Sequence, residues 1–282
     1  MCSRSSLATL SYAAFLVSAL RAPSKAFHSN PTPDRLTKVL CDLNETLSNL
    51  LNHATVRQYT DEPVSAEDRE LILNAARQAS TSCNLQVTSI IRVTDPDLRA
   101  KLAVCAGNQA HVVNAPEFWV FVADYHRNAI LCPGADLGWA EQGLVGATDT
   151  AIMAQTAMVA LEALGYGGCF IGGIRNGVAE ASKLLGLPKG VYLVMGLAFG
   201  RPSVKPGLKP RMPSSVTFME NRYVEPKDED LTAYDETMRQ YYATRDTNAK
   251  DTTFRESLKA YLLKERRPFI LDYLRQQGFV EK

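Results

Sequence analysis

This 282-residue chain has no CxxC pair. Its six cysteines, Cys2, Cys41, Cys83, Cys105, Cys132 and Cys169, are scattered. That spacing argues against a zinc site and against a disulfide framework, and it suits a reducing compartment. The four histidines never approach HExxH spacing, so a zinc helix of that type is excluded. A net charge of +1 gives no electrostatic case for a nucleic-acid partner. The apolar run at residues 7–20 is too short to span a bilayer, and no stable membrane association is expected. No internal repeat or low-complexity tract appears. What remains is an ordinary globular composition, 46% hydrophobic and 22% charged, long enough to bury a real core.

Acids are missing from the start of the chain. None precedes Asp34, while Arg4, Arg21 and Lys25 stand among serines and alanines. Residues 1–40 therefore read as a leader apart from the fold. One reading is a signal-peptide core at 7–20 with a cleavage candidate at Ser24-Lys25-Ala26. An organelle transit segment and an untargeted tail fit equally, which leaves cytoplasm or an organelle open as the location.

From residue 41 onward the periodicities alternate between helix and strand. A first helix is expected over 40–51. Ser65 and Asp68 form a capping pair that starts a second, with Leu71, Ile72, Ala75 and Ala76 on its buried face. Strands are expected at 86–93, 117–123, 169–172 and 192–199, and helices at 95–105, 137–164 and 178–185. The run at 117–123 is apolar on both sides, as a central strand buried on two faces requires. The 137–164 helix is apolar nearly all round, which places it in a core or a large subunit interface. Two late helices are expected near 231–244 and 253–277. Without regular βαβ spacing, the class is α+β.

Two basic stations stand far apart: His53-Ala54-Thr55-Val56-Arg57, and Leu208-Lys209-Pro210-Arg211. Arg57, Lys209 and Arg211 could close on one phosphate, which needs several oriented cations. Between them lies Gly165-Tyr166-Gly167-Gly168-Cys169-Phe170-Ile171-Gly172-Gly173, matching neither GxGxxG nor a Walker loop. A strand flanked by glycine pairs would let a flat ring approach bare backbone, so the set suggests a flavin mononucleotide (FMN) site. The plainer reading is surface charge at each station, a helix cap at Gly165 and a turn at Gly172-Gly173. The polar loops 79–86 and 107–111 could hydrogen-bond a ring edge or simply be solvated. Arg245 and Lys250, in a loop after Tyr242, could grip the 2′-phosphate of NADPH.

Together these residues resemble the nitroreductase superfamily, in its branch of oxygen-insensitive NADPH nitroreductases and P-type flavin reductases. The marks run in order: residues 53–61 (HATVRQYTD), 86–94 (QVTSIIRVT), 117–121 (EFWVF), 149–155 (DTAIMAQ), 171–176 (IGGIRN), 208–212 (LKPRM) and 265–278 (ERRPFILDYLRQQG). The resemblance implies a central, mostly antiparallel sheet flanked by helices, in an entwined homodimer with a helical extension from about residue 214 to 282. It implies FMN held by His53, Thr55 and Arg57 with Lys209 and Arg211. Ser82 and Gln109 would touch the cofactor, and Ile171, Gly172 and Gly173 would lie along the isoalloxazine edge. Arg245, with Lys250, would bind NADPH.

The activity so implied is two-electron, ping-pong reduction of nitroaromatics, quinones or flavins at the expense of NADPH, with the chemistry on flavin N5 and no dedicated catalytic side chain. A dehalogenating or flavin-processing relative and a non-enzymatic FMN-binding protein are the alternatives. Ala54, where the family usually has arginine, and Asn84, where it has an aromatic, depart from the pattern. Lys250 stands in a pair that is more arginine-rich in the family.

Overall fold

The computed structural model describes residues 44–204, 206–245 and 249–282. The leader at 1–40 lies outside them. The chain divides into two compact units, Asn52–Leu208 with Leu262–Lys282, and Lys209–Tyr261 with the residues up to Leu51.

Helix α1, Glu45–Leu51, precedes the sheet unit. Helix α2, Ala66–Arg77, starts where Ser65 Oγ accepts the Asp68 N–H at 2.9 Å. That bond satisfies one of the donors that every helix start leaves open. Strand β1 is Thr88–Arg92. Helix α3, Pro96–Cys105, begins with Asp95 accepting from the Asp97 and Leu98 amides and with proline at its first turn. Then come α4 (Ala110–Asn114), β2 (Glu117–Asp124) and α5 (His126–Leu131). The long α6, Ala140–Ala163, is followed by β3 (Gly167–Ile171), a 3₁₀ stretch (Gly172–Gly177), α7 (Val178–Leu184) and β4 (Val191–Gly200).

The four strands form one sheet in the order β1-β2-β4-β3, antiparallel throughout. Every residue of β2 is buried, and the pleat deals its side chains to two cores. Trp119 and Phe121 join Phe199, Ile72, Ala76, Ala154, Ala157, Met158 and Leu161, sealing α2 and α6 to one face. Phe118, Val120 and Val122 face the opposite core with Leu102, Ile174, Val178 and Ala181. By length and composition α6 could cross a bilayer, yet the buried stripe from Ala154 to Leu161 is committed to this core.

Leu71, expected on the buried face of α2, is 52% exposed, and on α6 Leu144 and Ile152 are exposed, at 65% and 38%. Periodicity placed an apolar stripe there; Ile72 and Ala76 supply the one that meets the sheet.

The other unit holds α8 (Ser214–Thr217), α9 (Asp228–Thr244) and α10 (Phe254–Leu262, the last residue returning to the sheet unit). Tyr234, Met238 and Tyr242 form its buried cluster, with Met212, Tyr241 and Phe254 packed around them. Asp228, Glu229 and Asp230 open α9, where negative charge complements the helix dipole. The single helix expected at 253–277 is broken into α10 and α11, Ile270–Gln276. Pro268 disfavours helical backbone at the residue before it, and Arg267 adopts φ +49°. From α11 onward the chain is woven into the sheet unit. Tyr273 Oη accepts the Leu193 N–H at 3.0 Å, and Phe279 stands edge-on to Tyr192.

Candidate active site

The first basic station is fixed by its neighbours. Val56 donates its N–H to the Gly168 carbonyl at 3.0 Å, and its side chain fills the space a Cβ on Gly167 would take. Tyr59 donates its hydroxyl to the Val56 carbonyl at 2.7 Å and lies 3.0 Å from that of Ala198. Burial pushes the Tyr59 phenol far above its ordinary pKa, so it stays a neutral donor. Thr60 and Ser203 add backbone bonds to Arg201 and Gln58. Arg57 is therefore presented by a stapled segment and is itself exposed. Its guanidinium bears on Cys169 of β3, where it opposes the upward push of burial on the thiol. Arg69, Arg92 and Arg201 each reach a carboxylate, whereas among the described residues none lies within ion-pair distance of Arg57.

His53 stands at the start of the same segment with Nδ1 2.6 Å from Glu162 Oε1, near the end of α6. Burial raises the Glu162 carboxyl, and the His53 ring counteracts it. Thr55 is half-buried between His53 and Arg57. Gly165, at φ +79°, closes α6, with the following amide of Tyr166 reaching back to the Leu161 carbonyl at 2.9 Å. The plainer of the two readings thus holds for Gly165.

Ser82 belongs to a short 3₁₀ turn, Ser82–Asn84, held from α6. Asp149 is buried and accepts from Thr81 Oγ1 at 2.6 Å and from the Ser82 N–H at 3.0 Å. Cys83, Asn84 and Gln86 all have positive φ, at 47°, 55° and 53°. Three such residues in one non-glycine loop are uncommon and mark a conformation the surroundings must enforce. Asp149 went unassigned in the sequence. Its signal was an acid in an otherwise apolar helix, where a buried carboxylate has to find donors.

Gln109 caps nothing with its side chain but folds back, Nε2 donating to the Ala106 carbonyl at 2.8 Å. Gly173 packs against that pair: a Cβ there would meet Gln109 Nε2 and stand 2.8 Å from Ala106 O. Ile171 is fully buried in the sheet core, so its backbone is the part that can face a ligand, while Gly172 and Gly173 are partly open. His111, two residues beyond Gln109, has its Nε2 buried with no hydrogen-bond partner. Burial and the Arg57 charge both hold this imidazole below its usual pKa.

In the helical unit, cations assigned to two different ligands gather on one ring. Lys209 Nζ, Arg245 Cζ and Lys250 Nζ lie 5.7, 5.4 and 4.5 Å from the centroid of Tyr242. Cations at this range are attracted to the ring face. Lys250 also donates its backbone N–H to the Tyr242 carbonyl at 3.0 Å. Tyr234 donates its hydroxyl to the Pro210 carbonyl at 3.2 Å, fixing the second station, and Arg211 bears electrostatically on that phenol. Tyr242 had no role in the sequence reading.

The Nitroreductase family model matches residues 50–201, and the Nitroreductase family, C-terminal domain, matches 209–282. An oxygen-insensitive NADPH nitroreductase of Salmonella typhimurium is 47% identical over 241 residues, which is 85% of this chain and 100% of that protein. An NADPH-flavin oxidoreductase of Vibrio harveyi is 42% identical, again over 85% of this chain and 100% of its own length. Among solved structures, nitroreductase A from Vibrio parahaemolyticus superposes with a TM-score of 0.81 at 42% identity, covering 85% of this chain and 100% of that one. The fold, the ordered motifs and these matches agree, and the chain belongs to the nitroreductase family, in the branch of the oxygen-insensitive NADPH nitroreductases and flavin reductases.

Proposed function

We propose that this protein is an FMN-dependent oxidoreductase that uses NADPH to reduce nitroaromatics, quinones or flavins by two electrons. The observation that carries the reading is Arg57: a stapled, exposed guanidinium beside β3 with no carboxylate partner among the described residues. Such a cation suits an oxyanion ligand, and the partly open backbone of Gly172 and Gly173 comes directly after the end of β3. The buried, unpartnered ring nitrogen of His111 and the close packing at Gly173 fit a ligand of this shape as well. Bound FMN would supply the electron-pair chemistry, which leaves binding, orientation and electrostatics to the protein.

In this reading Arg57, Lys209 and Arg211 neutralise the flavin phosphate, with His53 and Thr55 along the same station. Glu162 holds the His53 ring in place. Ser82 and Gln109 orient the cofactor from two loops, each loop anchored by a bond described above. The backbone of Ile171, Gly172 and Gly173 lines the ring edge. Arg245 and Lys250, gathered on Tyr242, receive the NADPH 2′-phosphate.

The protein works as a homodimer in the same proposal. Support comes from α6, whose outward face carries Leu144, Ala151 and Ile152 beside a shallow groove lined by Ala147, Thr148, Gln155 and Thr156. Large apolar side chains left exposed on a core helix are what a subunit partner would cover.

The test is to purify the protein, remove any flavin and titrate FMN by fluorescence quenching. NADPH consumption is then followed with a nitroaromatic, a quinone and free FMN as oxidants. Absence of FMN binding refutes the cofactor assignment; binding without NADPH oxidation for any oxidant refutes the activity. Sedimentation at micromolar concentration checks the dimer.

A further inference from the structure

We infer, on the NADPH reading given above, that Tyr242 is a positioning residue that sets the preference for NADPH over NADH. Its ring holds Arg245 and Lys250 together as one receptor for the 2′-phosphate.

The seat is built by α9. Tyr234, Met238 and Tyr242 recur at four-residue spacing and form the buried cluster of the helical unit, which anchors the ring in the last turn of the helix. Lys250 is attached to this residue at two points, through its N–H on the Tyr242 carbonyl at 3.0 Å and its Nζ 4.5 Å from the ring centroid. Arg245 joins from the helix cap with Cζ at 5.4 Å, and Lys209 Nζ stands at 5.7 Å. All four residues belong to the same compact unit.

Carboxylates of α9 are engaged elsewhere: Glu236 pairs with Arg239, and Asp228 and Asp235 pair with Arg255. Among the described residues no carboxylate lies within ion-pair distance of Lys209 or Lys250. Like charges gathered on a neutral ring keep a positive field that an anion completes.

An aromatic face suits this task where a carboxylate would not. A carboxylate would draw the cations in, but it would neutralise them and occupy their N–H donors. The ring attracts the charge and leaves the donors to the ligand. Lys250 gains most, because lysine is a point charge on a flexible stem with no planar fork to orient it. The two coenzymes differ only in the 2′-phosphate, so disorder in these cations weakens NADPH alone. The rival account is the helix dipole, since cations at the end of α9 stabilise the helix by themselves. That account predicts a change in stability with no change in coenzyme preference.

The experiment measures steady-state kinetics with NADPH and with NADH against one quinone, for wild type, Tyr242→Phe and Tyr242→Leu. FMN is kept saturating so that Lys209, assigned to the flavin phosphate, does not enter the comparison. In Tyr242→Leu, KM for NADPH should rise about five- to thirtyfold, the size of two exposed cation–π contacts. In the same variant kcat and KM for NADH should hold within about twofold, as loss of uniform binding to one coenzyme requires. Tyr242→Phe keeps the ring face and should keep the preference. A ring-fluorinated phenylalanine at position 242 preserves the shape while withdrawing the negative face. It should raise KM for NADPH at the melting temperature of Tyr242→Phe, and it decides the matter if Tyr242→Leu does not fold.

An unaltered ratio of the two KM values on fluorination overturns the inference. So does equal weakening of both coenzymes, a lowered melting temperature with the ratio preserved, or a loss in Tyr242→Phe as large as in Tyr242→Leu. Wild-type protein that uses both coenzymes equally overturns the NADPH reading itself, a result distinct from all of these.

Discussion

Replacing Asp149 with alanine should release the loop at 81–86 while leaving the sheet folded. The carboxylate accepts two bonds, from Thr81 Oγ1 at 2.6 Å and Ser82 N at 3.0 Å. Bonds to a charged group contribute roughly 1.5–3 kcal/mol each. Removing the buried anion also removes its desolvation cost, so the net loss should be about 2–4 kcal/mol. Against this stands the loop's own backbone, with three non-glycine residues at positive φ. Left-handed backbone costs about 1–2 kcal/mol per residue, less for asparagine. The two quantities are of similar size, so without Asp149 the ordered loop loses most of its advantage over disordered ones.

Native-state hydrogen exchange measures this directly. The amides of Leu85, bonded to the Ser82 carbonyl at 2.8 Å, and Gln86, bonded to Thr81 Oγ1 at 2.9 Å, should lose protection by about 30- to 1,000-fold. Amides of β2 should keep theirs. Unchanged protection at Leu85 and Gln86 would refute the reasoning, as would an equal collapse in β2, which would make Asp149 a global support.

Glu117→Gln should destabilise the fold by about 3–5 kcal/mol, because a buried acceptor of two arginines is neutralised. Burial raises this carboxyl, but Arg92 at 2.6 and 2.8 Å, the Trp119 indole and Arg69 outweigh it and hold it below the usual range. A depressed carboxylate stabilises above its unfolded pKa, near 4.3, and that contribution fades as pH falls through the folded value. The mutant's deficit in urea unfolding should therefore shrink between pH 7 and pH 3.5, and a constant deficit would contradict the ion-pair account. Gly173→Ala should lower flavin occupancy while far-ultraviolet dichroism stays unchanged, since the new methyl meets Gln109 Nε2 and Ala106 O. Arg245→Ala should raise KM for NADPH by about tenfold or more with little change for NADH, the loss of one charged phosphate contact. Equal changes would dismiss Arg245 as the phosphate grip.

Local chemistry was the legible part of the sequence. Ser65 and Asp68 announced α2 because capping is settled within four residues, and the continuous apolar run of β2 could only be a strand buried on both faces. Which apolar stripe turns inward was less legible. Leu71 carries the right periodicity, but burial depends on whether another element arrives, and that is decided elsewhere in the chain. The break between α10 and α11 is signalled by Pro268, but the helical spacing on both sides of it outweighs one residue in a periodicity argument.

Among the site residues, the cations of both stations could be named because the motifs around them are contiguous. Asp149 and His111 could not be given roles: a donor satisfied 67 residues away, and a ring nitrogen satisfied by nothing, are properties of tertiary packing. The shared seat of Lys209, Arg245 and Lys250 on Tyr242 is of the same kind.

The sheet order leaves β3 as an edge strand, and the segment carrying Arg57 lies against it through Val56 on Gly168, while the Tyr59–Pro202 bridge ties the same segment to the chain just past β4. Exposed strand edges recruit other chains, so covering this one blocks edge-to-edge strand pairing. A substitution that loosens Val56 or Tyr59 would then displace the Arg57 guanidinium and uncover a sticky edge together. Yield and activity would fall in step at these two positions, whereas at Ala54, which makes neither attachment, substrate choice can drift without touching solubility.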